Sequence, residues 1–320
     1  MPSRKSEIFG KEAGGIIGID IGGTKTAIST GGGKAPPKEV LRFATGTPKD
    51  LIQHLKRLIP SERKNLTFGV ACGGPLDAAS GRILAPPNLP GWDKVPITAM
   101  LRDAFGGRAV LMNDANANAL AEWKFGAGQG TRTMVFLTAG TGMGAGIIAE
   151  GKLCVGANGN AGEVGHIRLA ETGPVGFGKA GSFEGFCSGG GIRQLVRYLP
   201  KREQPAHVTD WAARHSTARD VILAAKSGDK TARAVLRESG EKLGAALAVL
   251  VDILNPEKIV LGTLYRVARA YLEPPMRRML EQEALPGSLA ACRIVTAKLG
   301  KNLGNYGAIC AALYESDKWN

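Results

Sequence analysis

Gly15-Ile16-Ile17-Gly18-Ile19-Asp20-Ile21-Gly22-Gly23-Thr24-Lys25-Thr26-Ala27-Ile28-Ser29 reads as two β-strands joined by a glycine turn. The flanks are rich in β-branched residues, which favour extended backbone, and Gly22-Gly23 supplies the conformational freedom that a tight reversal needs. The same device returns between Met134 and Leu153. There an apolar strand runs into Gly140-Thr141-Gly142-Met143-Gly144, a second strand follows at Ala145-Gly146-Ile147-Ile148, and a Glu150-Gly151 turn leads to Lys152-Leu153. Gly22 is answered by Gly140, one in each half of the chain. Such an internal echo predicts two related α/β domains facing each other across a cleft.

Working outward, leucines at helical spacing (Leu51, Leu55, Leu58) predict a helix over 50–58, and Leu66–Ala71 returns as a strand. From Cys72 to Pro96 glycine, proline and asparagine dominate; a loop of that length is functional or disordered, and Leu89 and Trp92 argue that this one packs. Val110-Leu111-Met112 is a short buried strand ending on Asn113-Asp114, with an alanine-rich helix from Ala115 to Trp123. Lys230–Leu254 is the strongest helix, stopped by Asn255-Pro256 and followed by a strand at Lys258–Gly262. Leu299-Gly300, Gly304 and Gly307 are expected to lead into a closing helix from Ala308 to about Glu315. The expected division is a smaller domain over 1–117, with 1–14 as a loose tail, and a larger one over 118–320 whose last helix packs back on the first.

The chain has 320 residues, 44% of them hydrophobic and 22% charged, as in ordinary soluble globular proteins. The formal charge of +13 is spread without long basic runs, so it reads as solvated surface that favours anionic cofactors and not as a nucleic-acid stripe. The five cysteines lie far apart with no Cys-x-x-Cys pair, which argues against a disulfide framework or a cysteine zinc site and fits a reducing cytoplasm. No run approaches the roughly 18 apolar residues of a membrane helix.

Glycine lets a turn wrap an anion with no Cβ in the way, and two such turns, one per half-chain, point to a polyphosphate group. A hairpin needs glycine in any case. Asp114, where a strand hands over to a helix, can orient a hydroxyl and take its proton during phosphoryl transfer, or it can simply cap the helix. Glu163 and His166, in Gly159-Asn160-Ala161-Gly162-Glu163-Val164-Gly165-His166, can hold vicinal sugar hydroxyls as acceptor and donor, or serve the fold.

Together, Ile19-Asp20-Ile21-Gly22-Gly23-Thr24-Lys25, Asn88-Leu89-Pro90-Gly91-Trp92, Asn113-Asp114-Ala115-Asn116, Gly140-Thr141-Gly142-Met143-Gly144, Gly162–His166 and Asn255–Gly262 resemble the ROK family of sugar kinases and related repressors. The resemblance implies two ribonuclease H-like α/β domains of the actin-like ATPase superfamily, closing over ATP and sugar. It makes Asp114 the catalytic base, with Asn88, Asn113, Glu163, His166 and Glu184 binding the sugar. It gives the phosphates to Gly22, Gly23, Thr24, Lys25, Gly140, Thr141 and Gly142, the adenosine border to Gly262 and the 299–307 segment, and an indirect hold on magnesium to Asp20. The implied protein is a cytoplasmic homodimer that phosphorylates the 6-hydroxyl of a hexose, glucose first, without nucleic-acid or membrane partners. The alternatives are an N-acetylhexosamine or fructose kinase, or a non-catalytic sugar-sensing regulator.

Two departures stand out. The family's zinc cysteines are replaced by Val175, Phe177 and Ser182, so no zinc is expected and Val175 and Phe177 are expected to pack as apolar residues in its place. Thr263 stands after Gly262 where the family usually has a second glycine, which leaves the nucleotide preference open; polyphosphate-using members of the family also lack the cysteines, and the basic charge suits such a donor beside ATP.

Overall fold

The computed structural model describes residues 15–32, 35–140, 142–314 and 319. The expected tail over 1–14 and the end of the closing helix at Glu315 lie outside these residues. The chain divides into two compact units, Met1–Phe125 with Leu299–Asn320, and Gly126–Lys298.

The first unit is built on the opening hairpin. Strand β1 (Ile16–Ile21) pairs antiparallel with β2 (Lys25–Thr30), which pairs antiparallel with β3 (Lys38–Ala44). On its other side β1 is parallel to β4 (Thr67–Cys72), which is parallel to β5 (Arg108–Asn113), giving the order β3-β2-β1-β4-β5. Helix α1 (Pro48–Leu58) starts on a capping box, in which the Thr47 side chain accepts from the Asp50 N–H and the Asp50 carboxylate accepts from the Thr47 N–H. It buries Leu51 and Leu55 with Ile17, Ile19, Phe68 and Val70 and with Ile97 and Leu101 of α2 (Ile97–Phe105).

The alternation of β1 sends Ile17, Ile19 and Ile21 to that core and leaves Ile16, Gly18 and Asp20 on the opposite face, where Ile16 packs with Ile309, Ala312 and Leu313. Gly18 lies in register with Gly69 of β4, making a flat patch on which α7 (Leu303–Tyr314) sits. A Cβ at Gly69 would meet the Ala308 carbonyl oxygen at 2.0 Å. Helix α3 (Asp114–Phe125) packs against α7, and a Cβ at Gly307 would lie 2.8 Å from Asn118 Oδ1. Gly304 and Gly307 therefore belong to the helix and not to a loop before it, because close packing selects small residues there over helix propensity. The long Cys72–Pro96 segment is held by Trp92, which is 1% exposed and donates its indole N–H to the Gly46 carbonyl at 2.8 Å.

The second unit repeats the plan. β6 (Met134–Ala139), β7 (Met143–Ala149) and β8 (Lys152–Cys154) form an antiparallel meander, and β6 is parallel to β9 (Lys258–Leu261), itself parallel to β10 (Arg293–Thr296). The order β8-β7-β6-β9-β10 matches the first sheet strand for strand, and the glycine turns fall at equivalent places, between the first two strands of each. The short helix α4 (Phe183–Cys187) precedes α5 (Lys230–Leu254), which is capped by the Asp229 side chain and closed by Asn255 in the left-handed conformation (φ 43°, ψ 56°). α5 packs along α6 (Thr263–Glu283).

The hand-over expected after residue 117 falls instead at the end of α3. Ala115, Asn116, Ala117, Ala119, Leu120, Ala121 and Glu122 are all buried, which ties the whole helix to the first unit. Residues 299–320 group with the first unit as well, since α7 lies across β1 and β4.

Candidate active site

The parallel pairings bring three strand ends side by side. Ile21 is in register with Cys72, and Cys72 with Asn113, so Gly22, Gly73 and Asp114 leave the sheet at one edge. The carboxyl ends of parallel strands are where open α/β sheets bind their ligands. A Cβ placed on Gly73 would lie 3.8 Å from Asp114 Oδ2, and one on Gly74 3.7 Å from Asn113 Nδ2, so the Gly73-Gly74 turn passes close to both side chains.

Asn113 caps α3. Its Oδ1 accepts from the N–H of Ala115 at 2.9 Å and of Asn116 at 3.4 Å, which leaves the amide nitrogen as its donor toward a ligand. Asp114 keeps part of its surface open. Burial of the carboxylate raises its pKa above the ordinary aspartate range, with the backbone N–H groups of Ala115 and Asp114 pulling the other way.

Asp20 belongs to the same unit. Burial and then the charge of Asp114 push its pKa up to about 6, while Arg42 lowers it and Glu39 raises it. Its carboxylate presses on the first turn of α7, where a Cβ at Gly304 would come 2.1 Å from Asp20 Oδ2. Next along α7, Asn305 Nδ2 donates to Glu39 Oε2 at 2.8 Å, and Glu39 also accepts from Arg42 Nε at 2.9 Å. Asn305 Oδ1 is buried with no hydrogen-bond partner. Sequence reading missed Glu39 and Arg42, and it placed Gly304 and Asn305 only within the 299–307 run, not against Asp20 and Glu39. A lone Asn in an apolar terminal helix is a signal only after the helix is known to cross β1.

In the first glycine turn, the Gly22 N–H is already bonded to the Lys25 carbonyl at 3.0 Å and the Gly22 carbonyl to Thr45 Oγ1 at 2.7 Å. Gly23, Thr24 and Lys25 are exposed. The turn rests on Asn88, since a Cβ at Gly23 would be 2.7 Å from the Asn88 carbonyl oxygen. The glycine fingerprint thus has two jobs here, hairpin closure at Gly22 and open backbone beyond it.

In the second unit, Thr141 lies outside the described residues. Gly140 has open space where a side chain would be, and its N–H donates to the Gly142 carbonyl at 3.0 Å. Glu184, at the start of α4, accepts from the Met143 N–H at 2.9 Å, and a Cβ on Gly142 would meet its Oε2 at 2.9 Å. Glu184 therefore braces the turn, a structural duty beside the sugar contact expected of it. The Gly162–His166 run lies along β7: Gly162 (φ 92°) brings its backbone within 2.1 Å, for a hypothetical Cβ, of the Ala145 carbonyl, and Gly165 within 2.6 Å of that of Met143. Glu163 and His166 are exposed, with His166 closing a 3₁₀ turn on the Glu163 carbonyl at 3.1 Å. Gly262 donates to the Leu137 carbonyl at 2.9 Å beside an apolar cavity lined by Leu137, Ala139, Met143, Leu261 and Tyr265.

The expected apolar packing of Val175 and Phe177 is not what forms. They are 45% and 63% exposed, because Val175-Gly176 pairs with Lys179-Ala180 in a tight hairpin that projects Phe177 at its tip. No group of three or more His, Cys, Asp and Glu side chains is placed to hold a metal among the described residues. No described helix is long and apolar enough to cross a membrane.

Two α/β units, each with three antiparallel strands followed by two parallel ones and a glycine turn after the first strand, define a protein of the actin-like ATPase superfamily. The chain belongs to the ROK family, whose model matches residues 16–315. It is 32% identical over 310 residues to a glucokinase of Halalkalibacterium halodurans, covering 91% of this chain and 92% of that one. It is 31% identical over 320 residues to a xylose repressor of Caldicellulosiruptor bescii, covering 96% of this chain and 79% of the repressor. Among solved structures it is similar to a ROK family glucokinase from Streptomyces griseus in complex with glucose and AMPPNP, at 29% identity and a TM-score of 0.69, over 93% of this chain and 99% of that one.

Proposed function

We propose that the protein is an ATP-dependent hexose kinase that phosphorylates the 6-hydroxyl of its sugar, with glucose as the first candidate. The observation that carries this is Asp114: a desolvated carboxylate at the carboxyl end of β5, with the helix cap delivered by Asn113. Similarity to glucokinases supports the sugar. On the family resemblance we also propose a cytoplasmic homodimer without zinc.

The residues present fit a nucleotide with a divalent cation. Asp20, desolvated beside the charge of Asp114, gains from a nearby positive charge, and the exposed Gly23-Thr24 backbone and open Gly140 offer the close approach that phosphates need. Bound, ATP supplies the transferred phosphoryl group and the cation neutralises its charge. Asp20 would face the cation through water, Gly23, Thr24, Lys25, Gly140, Thr141 and Gly142 the phosphates, and Gly262 the adenosine.

Asn88, Asn113 Nδ2, Glu163, His166 and Glu184 would fix the hexose by its hydroxyls. Asp114 accepts the proton of the 6-hydroxyl as that oxygen forms its bond to phosphorus. Burial raises its proton affinity, which makes the ionised carboxylate a stronger base than a free aspartate.

The test is ADP release measured with ATP and magnesium over a panel of glucose, fructose, mannose and N-acetylhexosamines. Turnover on one of them is the expected result. Sugar binding with no turnover on any of them would contradict the kinase and leave the sensor reading that the repressor relative supports, or a polyphosphate donor.

Gly304→Ala tests the seat of Asp20. The added methyl would lie 2.1 Å from Asp20 Oδ2, so the carboxylate must move. A misplacement near 1 Å costs about 10²-fold in turnover, and that fall is expected in a protein with native circular dichroism. Full turnover at unchanged magnesium demand would remove Asp20 from the role given it.

A further inference from the structure

The hairpin after His166 carries an aromatic residue where its own geometry does not want one. Gly176 pairs with Lys179, leaving Phe177 and Gly178 as a two-residue loop with both φ angles positive, 41° and 77°, as in a type I′ turn. That turn favours Asn-Gly, Asp-Gly or Gly-Gly, and a side chain as large as Phe at its first position is strained. Solvent exposure of 63% gives the ring little burial in return. Its ring contact is with His166, edge to face, with centroids 5.3 Å apart and planes at 83°. Such pairs favour perpendicular packing.

The rest of the hairpin is braced toward the same residue. Lys179 Nζ donates to the His166 carbonyl at 2.7 Å. Gln194 anchors the base, accepting from the Val175 N–H at 3.0 Å and donating to the Val175 carbonyl at 3.0 Å. Gly176 lies against Glu184, with a hypothetical Cβ 2.7 Å from the Glu184 Cβ. The hairpin is thus fixed at its foot to Glu184 and Gln194, and at its tip it touches the imidazole and backbone of an otherwise exposed histidine.

We infer that Phe177 is a positioning residue: its ring holds the His166 imidazole in the orientation that meets the hexose, and so sets sugar affinity. The inference rests on the sugar-binding role proposed for His166. Neither residue takes part in proton or phosphoryl transfer on this reading, so the effect falls on binding and not on turnover at saturation.

Phe177→Asn is the informative variant, because Asn suits the turn and removes the ring. Melting temperature is expected to hold or rise. Glucose affinity, measured by equilibrium titration together with the same hexose panel, is expected to fall about fivefold, the value of one aromatic pair, with kcat unchanged and Phe177→Tyr restoring the affinity. In the sugar-free protein the His166 ring C–H resonance, assigned as the one lost in His166→Gln, is expected to move in Phe177→Asn and return in Phe177→Tyr. A resonance that stays in place overturns the contact whatever the sugar result. A resonance that moves with unchanged affinity overturns the role. Failure of the kinase reading shows separately, as wild-type protein that binds hexose without turning it over, and absence of hexose binding to wild type overturns both.

Discussion

Asp114→Asn is expected to lower turnover by about 10²- to 10⁴-fold, the usual contribution of a general base, while hexose binding is kept. The substitution is nearly isosteric, and the α3 cap survives because Asn113 Oδ1 delivers it. What is lost is the acceptor for the 6-hydroxyl proton. Coupled ADP release gives the turnover and an equilibrium glucose titration gives the binding; a variant that turns over like the wild type would take Asp114 out of the mechanism. The pH profile carries a second signature. Asp20 titrates near 6 because it is buried beside the Asp114 charge, and it must be ionised to favour a cation, so wild-type turnover should rise with pH through about 6. Removing that charge lowers the pKa of Asp20, and the acid limb of the residual activity should move to lower pH.

Gly69→Ala is expected to destabilise the protein by about 3 kcal/mol or more, because overpacking here is met by backbone and not by a yielding side chain. The new methyl would stand 2.0 Å from the Ala308 carbonyl oxygen and 2.6 Å from the Ala312 nitrogen, so β4 and α7 must separate. That separation loosens the helix whose first turn seats Asp20. A thermal melt should show a drop of roughly 6 °C or more. A wild-type melt would mean that α7 does not lie on the sheet at this distance.

Both results depend on features with very different visibility in the sequence. The two glycine-turned hairpins were readable because strand alternation and turn chemistry are local, and the likeness of the halves gave the pair of α/β units. Asp114 was readable as a strand-end residue, though its division of labour with Asn113 was not, since either side chain suits a helix cap. The closing helix was read five residues too short at its start, Ala308 against the observed Leu303, because Gly304 and Gly307 look like loop residues until Asp20 and Asn118 are known to press on them. Glu39, Arg42 and Asn305 meet through β3 and α7, which lie far apart in the chain, so no spacing announces them. Phe177 was expected to pack as an apolar residue because it stands where the family has a zinc cysteine. The paired strands instead lift it to the tip of a hairpin, beside His166.

The most direct test of the central claim is ³¹P NMR of the protein with ATP, magnesium and glucose. The account predicts that the γ-phosphate signal falls as ADP and a sugar phosphomonoester appear in equal amounts, with the new phosphorus coupled to the protons on carbon 6. ATP left intact beside bound glucose, or converted only to inorganic phosphate, would contradict it.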